Sequence, residues 1–230
     1  MTINPAVSRR ALIGGLCATA AGLLAACAAL PPLSVEEAVR RLLRRSTERA
    51  LARLEEPGGV WDRMIAQIDP GQNAGPSGPF IAGLLLKGAL MSPEFHRRLD
   101  AWLRPVALRA ARAAAPRVAA AVKVMGIANA RAVLAGGPRA ATELLRGEMG
   151  PAVIEAMLPE FRDALRVLDD PVLGPAIRAL AGLGADALAQ RFARHADQAL
   201  WDAIGAQEAA IRANPGADGD PQLADMLARP

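Results

Sequence analysis

Two histidines are the residues in this sequence best suited to acid–base chemistry, because the imidazole titrates near neutral pH. His96 and Asp100 are four residues apart, a spacing that would let the carboxylate orient the imidazole on a helix. His195 borders an apolar stripe, and Asp202 follows two helical turns later on the same side. A hydrogen-bonded structural histidine and an exposed pair explain these positions more simply. We therefore assign no catalytic residue.

Three further segments carry the letters of functional motifs without the context that those motifs need. Gly75–Pro79 (GPSGP) is similar to a nucleophile elbow, but its second glycine comes one residue early and no strand precedes it. Gly182–Ala187 (GLGADA) has the letters of a dinucleotide fingerprint, yet helical sequence precedes it. Asn214–Asp225 is spaced like a calcium loop but lacks several ligands. With no HExxH or CxxC pattern, we expect neither a metal nor a cofactor.

Cys27 is the residue whose surroundings suit covalent modification. It ends the sequence Leu24–Cys27 (LAAC), which is similar to the lipobox in which bacterial export machinery acylates the thiol and cuts the chain before it. Cleavage at the Ala-x-Ala pattern of Ala26 and Ala28 is the alternative, and it would release a soluble periplasmic protein. Cys17 lies inside the apolar run and is a poor acylation site. We predict lipidation at Cys27, which would anchor the chain to a membrane.

The residues before Cys27 are ordered like an export signal. Arg9 and Arg10 precede an apolar run that glycines interrupt and that falls short of the about 20 apolar residues of a membrane span. The pair resembles a twin-arginine signal, although an ordinary secretory signal also fits. The predicted organisation is a signal peptide at 1–26, a tether at 27–33 and a helical domain at 34–230. We expect the periplasmic side of the envelope, and Ala28 favours the outer membrane.

The amino-acid composition indicates which secondary structure follows the predicted export signal. Hydrophobic residues make up 52% of the chain, but Phe occurs four times, Trp three times and Tyr never, so Ala and Leu supply most of them. These residues favour helices, whereas the β-branched and aromatic residues that favour strands are scarce. Ser34 and Glu37 form a capping box, and Ser92 with Pro93 marks another helix start. We predict one all-α domain of about eight helices.

Prolines and glycines indicate where these helices should break. Pro105 should kink the second long helix, and Pro116 should begin a new segment, because each removes a backbone donor. Glycines at 126, 136, 137 and 147 should divide the middle of the chain into short helices. The last long helix is predicted from Ala185 to Ala213, followed by a polar turn.

Two predicted surfaces could contact other molecules. Four arginines crowd the outer face of the first helix and could rest on anionic headgroups, or simply be solvated; they are Arg40, Arg41, Arg44 and Arg45. Trp201 falls opposite the stripe of Phe192, Ala199 and Ala203 on the last long helix. We expect its indole to be exposed and to contact an envelope protein partner.

The charge pattern argues against a nucleic-acid partner. The chain has 27 Lys and Arg against 23 Asp and Glu, and two of the basic residues, Arg9 and Arg10, lie in the signal. Proteins that bind nucleic acid concentrate basic residues on one face with stacking aromatics, which are few here.

Three segments of the chain resemble a known family. They are Ile127–Arg146, Pro151–Leu168 and Ala199–Pro215, and the most specific pieces are Gly-Gly before Ala-Ala-Thr and Gln-Glu before Ile-Arg-x-x-Pro. They are similar to the domain of unknown function 4197 family of exported proteobacterial proteins, from about Val35 onward; Asn73–Glu94 departs from the pattern. The resemblance implies a helical envelope domain and supplies no catalytic residue.

Three functions remain open at this stage. The first is a binding or scaffolding lipoprotein of the envelope, because the chain has a predicted export signal, a lipidation site and an apolar helical core, but no assembled set of catalytic residues. The second is a carrier of an apolar ligand or lipid, which a pocket of several hundred Å³ between helices would support. The third and weakest is an enzyme, which would need a histidine and two carboxylates converging in a cleft.

Overall fold

A computed structural model of the protein describes residues 33–54, 56, 92–167, 170–180 and 184–229, except the side chains of 178–180 and 218. These residues belong to one compact unit, Leu33–Pro230. No strand occurs in the described ranges, which confirms the all-α prediction. The elements are α1 (Val35–Leu54), α2 (Pro93–Val124), α3 (Ala130–Leu134), α4 (Ala140–Met149), α5 (Ala152–Arg166), α6 (Leu173–Leu180), α7 (Ala185–Ala213), a 3₁₀ turn (Pro215–Asp218) and α8 (Pro221–Ala228).

The two helices nearest the chain start begin at the predicted serine caps. The N–H of Glu37 donates to Ser34 Oγ at 3.1 Å, and the N–H of Phe95 donates to Ser92 Oγ at 3.2 Å. Each bond satisfies a donor that has no partner within the first turn of its helix. Pro93 takes the first position of α2, where its missing N–H removes no helical bond.

The prediction that Pro116 begins a new segment is wrong, because α2 continues through both Pro105 and Pro116 for 32 residues. Both prolines lie on the exposed side of the helix. The opposite side buries an apolar row that includes Leu99, Leu103 and Val118. The packing of that row outweighs the loss of the two proline hydrogen bonds, since most helical stability in proteins comes from tertiary contacts.

Short helices connect the long ones, and one glycine among them does not act as predicted. Gly147 lies inside α4, which continues to Met149 and stops at Gly150. Gly150 has φ of 50°, a left-handed conformation that glycine adopts without steric penalty. Asn129, also left-handed at φ of 61°, precedes α3. A single exposed glycine disfavours a helix by only about 1 kcal/mol, which the packing of α4 overcomes.

Helix α7 is the centre of the core and spans the predicted residues, Ala185 to Ala213. It packs against α1, α5 and α4. Because helices cover it on several sides, its buried surface is much wider than one apolar stripe. Phe192 on α7 lies between Phe161 of α5 and Trp102 of α2, with ring centroids 6.1 Å away in both cases. Helices α1 and α7 carry many of the residues of the features described next.

Candidate functional site

A groove of about 660 Å³ runs between α1 and α2 on the surface of the domain. It is open along one side, unlike an enclosed cavity. The helices are antiparallel here, because Arg40 near the start of α1 donates to the carbonyl of Met125 just after α2, at 3.1 Å. Ala115, Pro116 and Ala119 form much of the α2 wall, and their small side chains leave the space open. The volume lies within the range of ligand pockets.

Two polar atoms of groove-lining residues are buried without a hydrogen-bond partner among the described residues. They are Nε of Arg40 and Oγ1 of Thr47, whose side chain is 7% exposed. Ser46, the residue before, donates its hydroxyl to the carbonyl of Leu42 at 2.8 Å. Leaving a buried donor unpaired costs about 1–3 kcal/mol, so folded proteins rarely keep one without reason. A ligand bound in the groove could therefore supply the hydrogen-bond partners that Arg40 Nε and Thr47 Oγ1 lack among the described residues.

The four arginines of α1 do not form the single outer face that the sequence predicts. Arg40 turns to Met125, and Arg44 lies in the same groove with its Nη2 4.0 Å from Glu37. On another side of the helix, Arg41 and Arg45 lie 3.2 and 3.8 Å from the carboxylate of Asp220. The α-helical period separates 40 and 44, which line the groove beside α2, from 41 and 45, which lie near the cap of α8. The predicted membrane face is thus divided between two intramolecular sites.

Asp220, which sequence reasoning placed in a solvated turn, is a buried helix cap. Its Oδ1 accepts the N–H of Leu223 at 3.1 Å, and Arg41 Nη1 donates to the same carboxylate. Burial alone would raise the pKa of Asp220, but the Leu223 hydrogen bond and the arginines 41 and 45 outweigh it, so the pKa lies below its usual value. Across the described residues, no group of three or more His, Cys, Asp or Glu is placed to hold a metal ion.

Neither histidine meets a carboxylate within the described part of the chain. His96 Nδ1 lies 3.0 Å from the carbonyl of Ser92, while Asp100 accepts from Arg104 at 3.3 Å instead. His195 is half-buried, and desolvation, followed by the charges of Arg191 and Arg194, lowers its pKa. With two arginines and no carboxylate beside it among the described residues, His195 lacks a group that would orient it as a general base. The convergence that would favour an enzyme does not occur in these residues.

The expectation that Trp201 is exposed is wrong, because its side chain is 1% exposed. Its Nε1 donates to Asp197 Oδ1 at 2.9 Å, one turn earlier on α7. Burial raises the pKa of Asp197, against the opposing effects of that hydrogen bond and of Arg146. The stripe on which the prediction rested covers only part of the buried side of α7. Trp201 packs inside the domain and is not a surface for a partner.

A buried ion pair that the sequence analysis did not single out joins α7 to two short helices. Glu208 is fully buried, and its carboxylate accepts the N–H of Ala141 at 3.0 Å and both the N–H and hydroxyl of Thr142 at 2.7 and 2.6 Å. Arg212 lies 2.8 Å from Glu208 and donates to the carbonyls of Leu134 and Val133 at 2.7 and 3.0 Å. The carboxylate thus caps the start of α4, and the guanidinium caps the end of α3.

Arg139 lies over a glycine of α7 next to this pair. It bonds Asp202 Oδ1 at 2.8 Å, and a Cβ added to Gly205 would be 2.2 Å from its Nε. A side chain at position 205 would therefore displace the Arg139 guanidinium, which is a flexible group and not backbone, from where it lies. One signal in the sequence could have indicated the cluster: Glu208 occupies an apolar-stripe position one turn after Ile204. A carboxylate at such a position needs a buried partner, and Arg212 is four residues on.

These contacts define the chain as an all-α domain. Its described residues form a surface groove between α1 and α2 and a buried polar clamp, the pair Glu208 and Arg212. Residues 30–227 match the model of a family described as protein of unknown function (DUF4197), and the chain belongs to this family. It is the family that the sequence segments resemble. The clamp brings the two most specific of those segments together, since Glu208 and Arg212 from one contact α4 and the end of α3 in the other. No curated protein and no solved structure matches the chain.

Several predicted sites lie outside the described residues. They are Cys27, the pair Arg9 and Arg10, and the Gly75–Pro79 segment. Lipidation, export and the boundaries of the signal peptide and tether therefore stay predictions. No helix in the ranges that the structure describes is long and apolar enough to cross a membrane.

Proposed function

We propose that the chain is an exported, non-enzymatic envelope protein, held at the membrane by a lipid on Cys27, that binds an apolar ligand in the groove between α1 and α2. The carrier role is preferred over a scaffold for protein partners, because the burial of Trp201 removes the partner contact that the sequence suggested. The single observation that carries the proposal is the groove with its unpaired Thr47 hydroxyl.

The composition of the groove supports an apolar ligand. Leu51 on α1 and Pro116 and Val122 on α2 give it a hydrocarbon surface, with alanines between them. Ligand sites in proteins combine such surfaces with a few polar groups that fix orientation. Thr47 and Arg40 supply these polar groups. A carrier needs no catalytic set, in agreement with the separation of both histidines from carboxylates.

A neutral fluorescent probe, N-phenyl-1-naphthylamine, tests the groove with a matched pair of variants. Ala119→Phe places a ring in the groove from a position that is itself exposed, so the core is undisturbed. Ala120→Phe adds the same ring to the neighbouring exposed residue of α2, which does not line the groove. We expect the fluorescence enhancement to fall with Ala119→Phe and to persist with Ala120→Phe. Equal enhancement in both variants would contradict the proposal.

A further inference from the structure

We propose that the ligand of the groove is a single-chain anionic amphiphile of the fatty-acid type, with its carboxylate beside Arg40, Arg44 and Thr47 and its chain along α2. This inference rests on the proposed function and adds the chemistry of the ligand's head group. It follows from which polar atoms lack partners and from where the charges lie.

The unpaired atoms of the groove are donors. Arg40 Nε carries an N–H, and Thr47 Oγ1 carries an O–H that has no acceptor among the described residues. Arg44 stands between them on the same face of α1, because positions 40, 44 and 47 follow the helical period. Arg40 and Thr47 are seven residues, about 10 Å, apart along the helix, so a head group beside Arg44 lies between them and does not bond both. A group that only accepts hydrogen bonds suits these donors, and an ionised carboxylate is such a group.

The groove is lined by four basic side chains, Arg40, Arg44, Arg112 and Lys123, and two acidic ones, Glu37 and Glu48, so its net charge is positive. Lys123 lines the groove from α2 and makes no ion pair with any described residue. Arg44 is 56% exposed, and its 4.0 Å separation from Glu37 is too long for a direct hydrogen bond. Its guanidinium therefore keeps donors for a ligand. A cationic head group would face more basic than acidic side chains, since Glu37 and Glu48 only partly offset the cations, and Coulomb repulsion therefore disfavours it.

The remainder of the groove accommodates a hydrocarbon chain. From Thr47 toward the end of α1 the wall is formed by Ala115, Pro116 and Leu51. From Arg44, beside which the head group lies, to Leu51 is seven residues of α1, about 10 Å at the helical rise of 1.5 Å per residue, which holds the first part of the chain. A single extended acyl chain fits such a narrow, open groove between two helices, and one head group matches its one cluster of donors.

The test compares three ligands that share a dodecyl chain: dodecanoate, dodecanol and dodecyltrimethylammonium. Binding to the full chain is measured by calorimetry below the micellar concentrations of the two ionic ligands and below the solubility limit of dodecanol. We expect dodecanoate to bind at least about tenfold more tightly than dodecyltrimethylammonium, since charge-assisted hydrogen bonds are worth that much. Salt should weaken dodecanoate binding and leave dodecanol unchanged.

Variants locate the effect on the proposed atoms. Arg44→Gln and Thr47→Val should each weaken dodecanoate while leaving dodecanol binding near wild type. Arg53→Gln, an exposed arginine of the same helix outside the groove, is the matched control and should change neither. Equal affinities for the anion and the cation would overturn the head-group inference and leave the groove function standing. Failure of all three ligands to bind, or binding that Ala119→Phe leaves intact, would overturn both.

Discussion

Glu208 and Arg212 lie one turn apart on α7 and fasten two neighbouring short helices from opposite ends. The carboxylate accepts from the first N–H groups of α4, and the guanidinium donates to the last carbonyls of α3. Each side chain thus satisfies unpaired backbone groups at one helix end, and the two side chains also neutralise each other's charge. The pair fixes the Gly-Gly connection between the two helices to the centre of the core.

Removing the carboxylate should unfold this corner of the domain. Glu208→Ala leaves the buried Arg212 without its ionic partner and strips the cap from α4, so we expect a loss of about 3–5 kcal/mol in unfolding free energy. Chemical denaturation measures it. Glu148→Ala on the exposed side of α4 is the control and should stay within about 0.5 kcal/mol of wild type. A small effect of Glu208→Ala would show that the clamp contributes little.

Three glycine-to-alanine changes should have three different effects. At Gly136 the new Cβ would lie 2.8 Å from Ala140 Cβ and 3.0 Å from the carbonyl of Ala132, so we expect a loss of about 1–3 kcal/mol. At Gly147, inside α4 with nothing within 4 Å, alanine should stabilise by about 0.5–1 kcal/mol. At Gly205 the flexible Arg139 can move aside, so the change should be small. Thermal melting ranks the three variants, and a different order would contradict this packing.

Trp201 should behave as a core residue. Trp201→Ala is expected to cost about 3–5 kcal/mol. Trp201→Phe keeps most of the ring but loses the donor to Asp197, which should cost about 1 kcal/mol plus the lost area. Denaturation curves give both values, and size exclusion over a range of concentrations should show the same oligomeric state for both variants as for wild type. An unchanged melting temperature in Trp201→Ala would contradict the burial of the indole in the core.

Acid should weaken the attachment of α8 through Asp220. Because its folded pKa lies below the usual 3.8, the unfolded carboxyl takes up a proton first as the pH falls. The stability that Asp220 provides is therefore complete above the unfolded value and is lost as the pH drops below about 3.8 through the folded pKa. Asp220→Asn should be less stable at neutral pH and show a shallower acid decline. Asp225→Asn, on the exposed side of α8, serves as the control; parallel curves for wild type and Asp220→Asn would refute the assignment.

The lipid anchor gives a prediction for the part of the chain that the structure does not describe. Cys27→Ser should appear soluble or uncleaved, because a serine hydroxyl is not a substrate for the acyl transfer, while wild type should sediment with membranes. Cys17→Ser is the matched control and should fractionate like wild type. Metabolic labelling with palmitate reads the acylation directly. Equal membrane association of wild type and a cleaved Cys27→Ser chain, or equal palmitate labelling of the two, would exclude the anchor.

Local sequence was sufficient for the helix starts at Ser34 and Ser92 and for the span of α7, because caps and periodicity act within a few residues. It was insufficient for Trp201, whose burial depends on how many helices surround α7. Asp220, the partner of Arg41, is 179 residues away, and Ala141, whose N–H Glu208 accepts, is 67 residues away; both are beyond the reach of any spacing rule. The groove could not be predicted either, since it arises where the small residues of α2 meet α1.

The contact between Arg41 and Asp220 also constrains when the protein can fold. Its two residues are separated by 179 positions, and α1 packs on α7 as well as on α8. A chain that emerges amino terminus first, from a ribosome or through a translocation pore, presents α1 long before the helices that cover it. Helix α2 can contact α1 earlier, but the part of α1 that packs on α7 stays uncovered until nearly the whole polypeptide has passed. Closure of the core is thus a late, high-contact-order event, and a holding chaperone would act on the first helix during that interval.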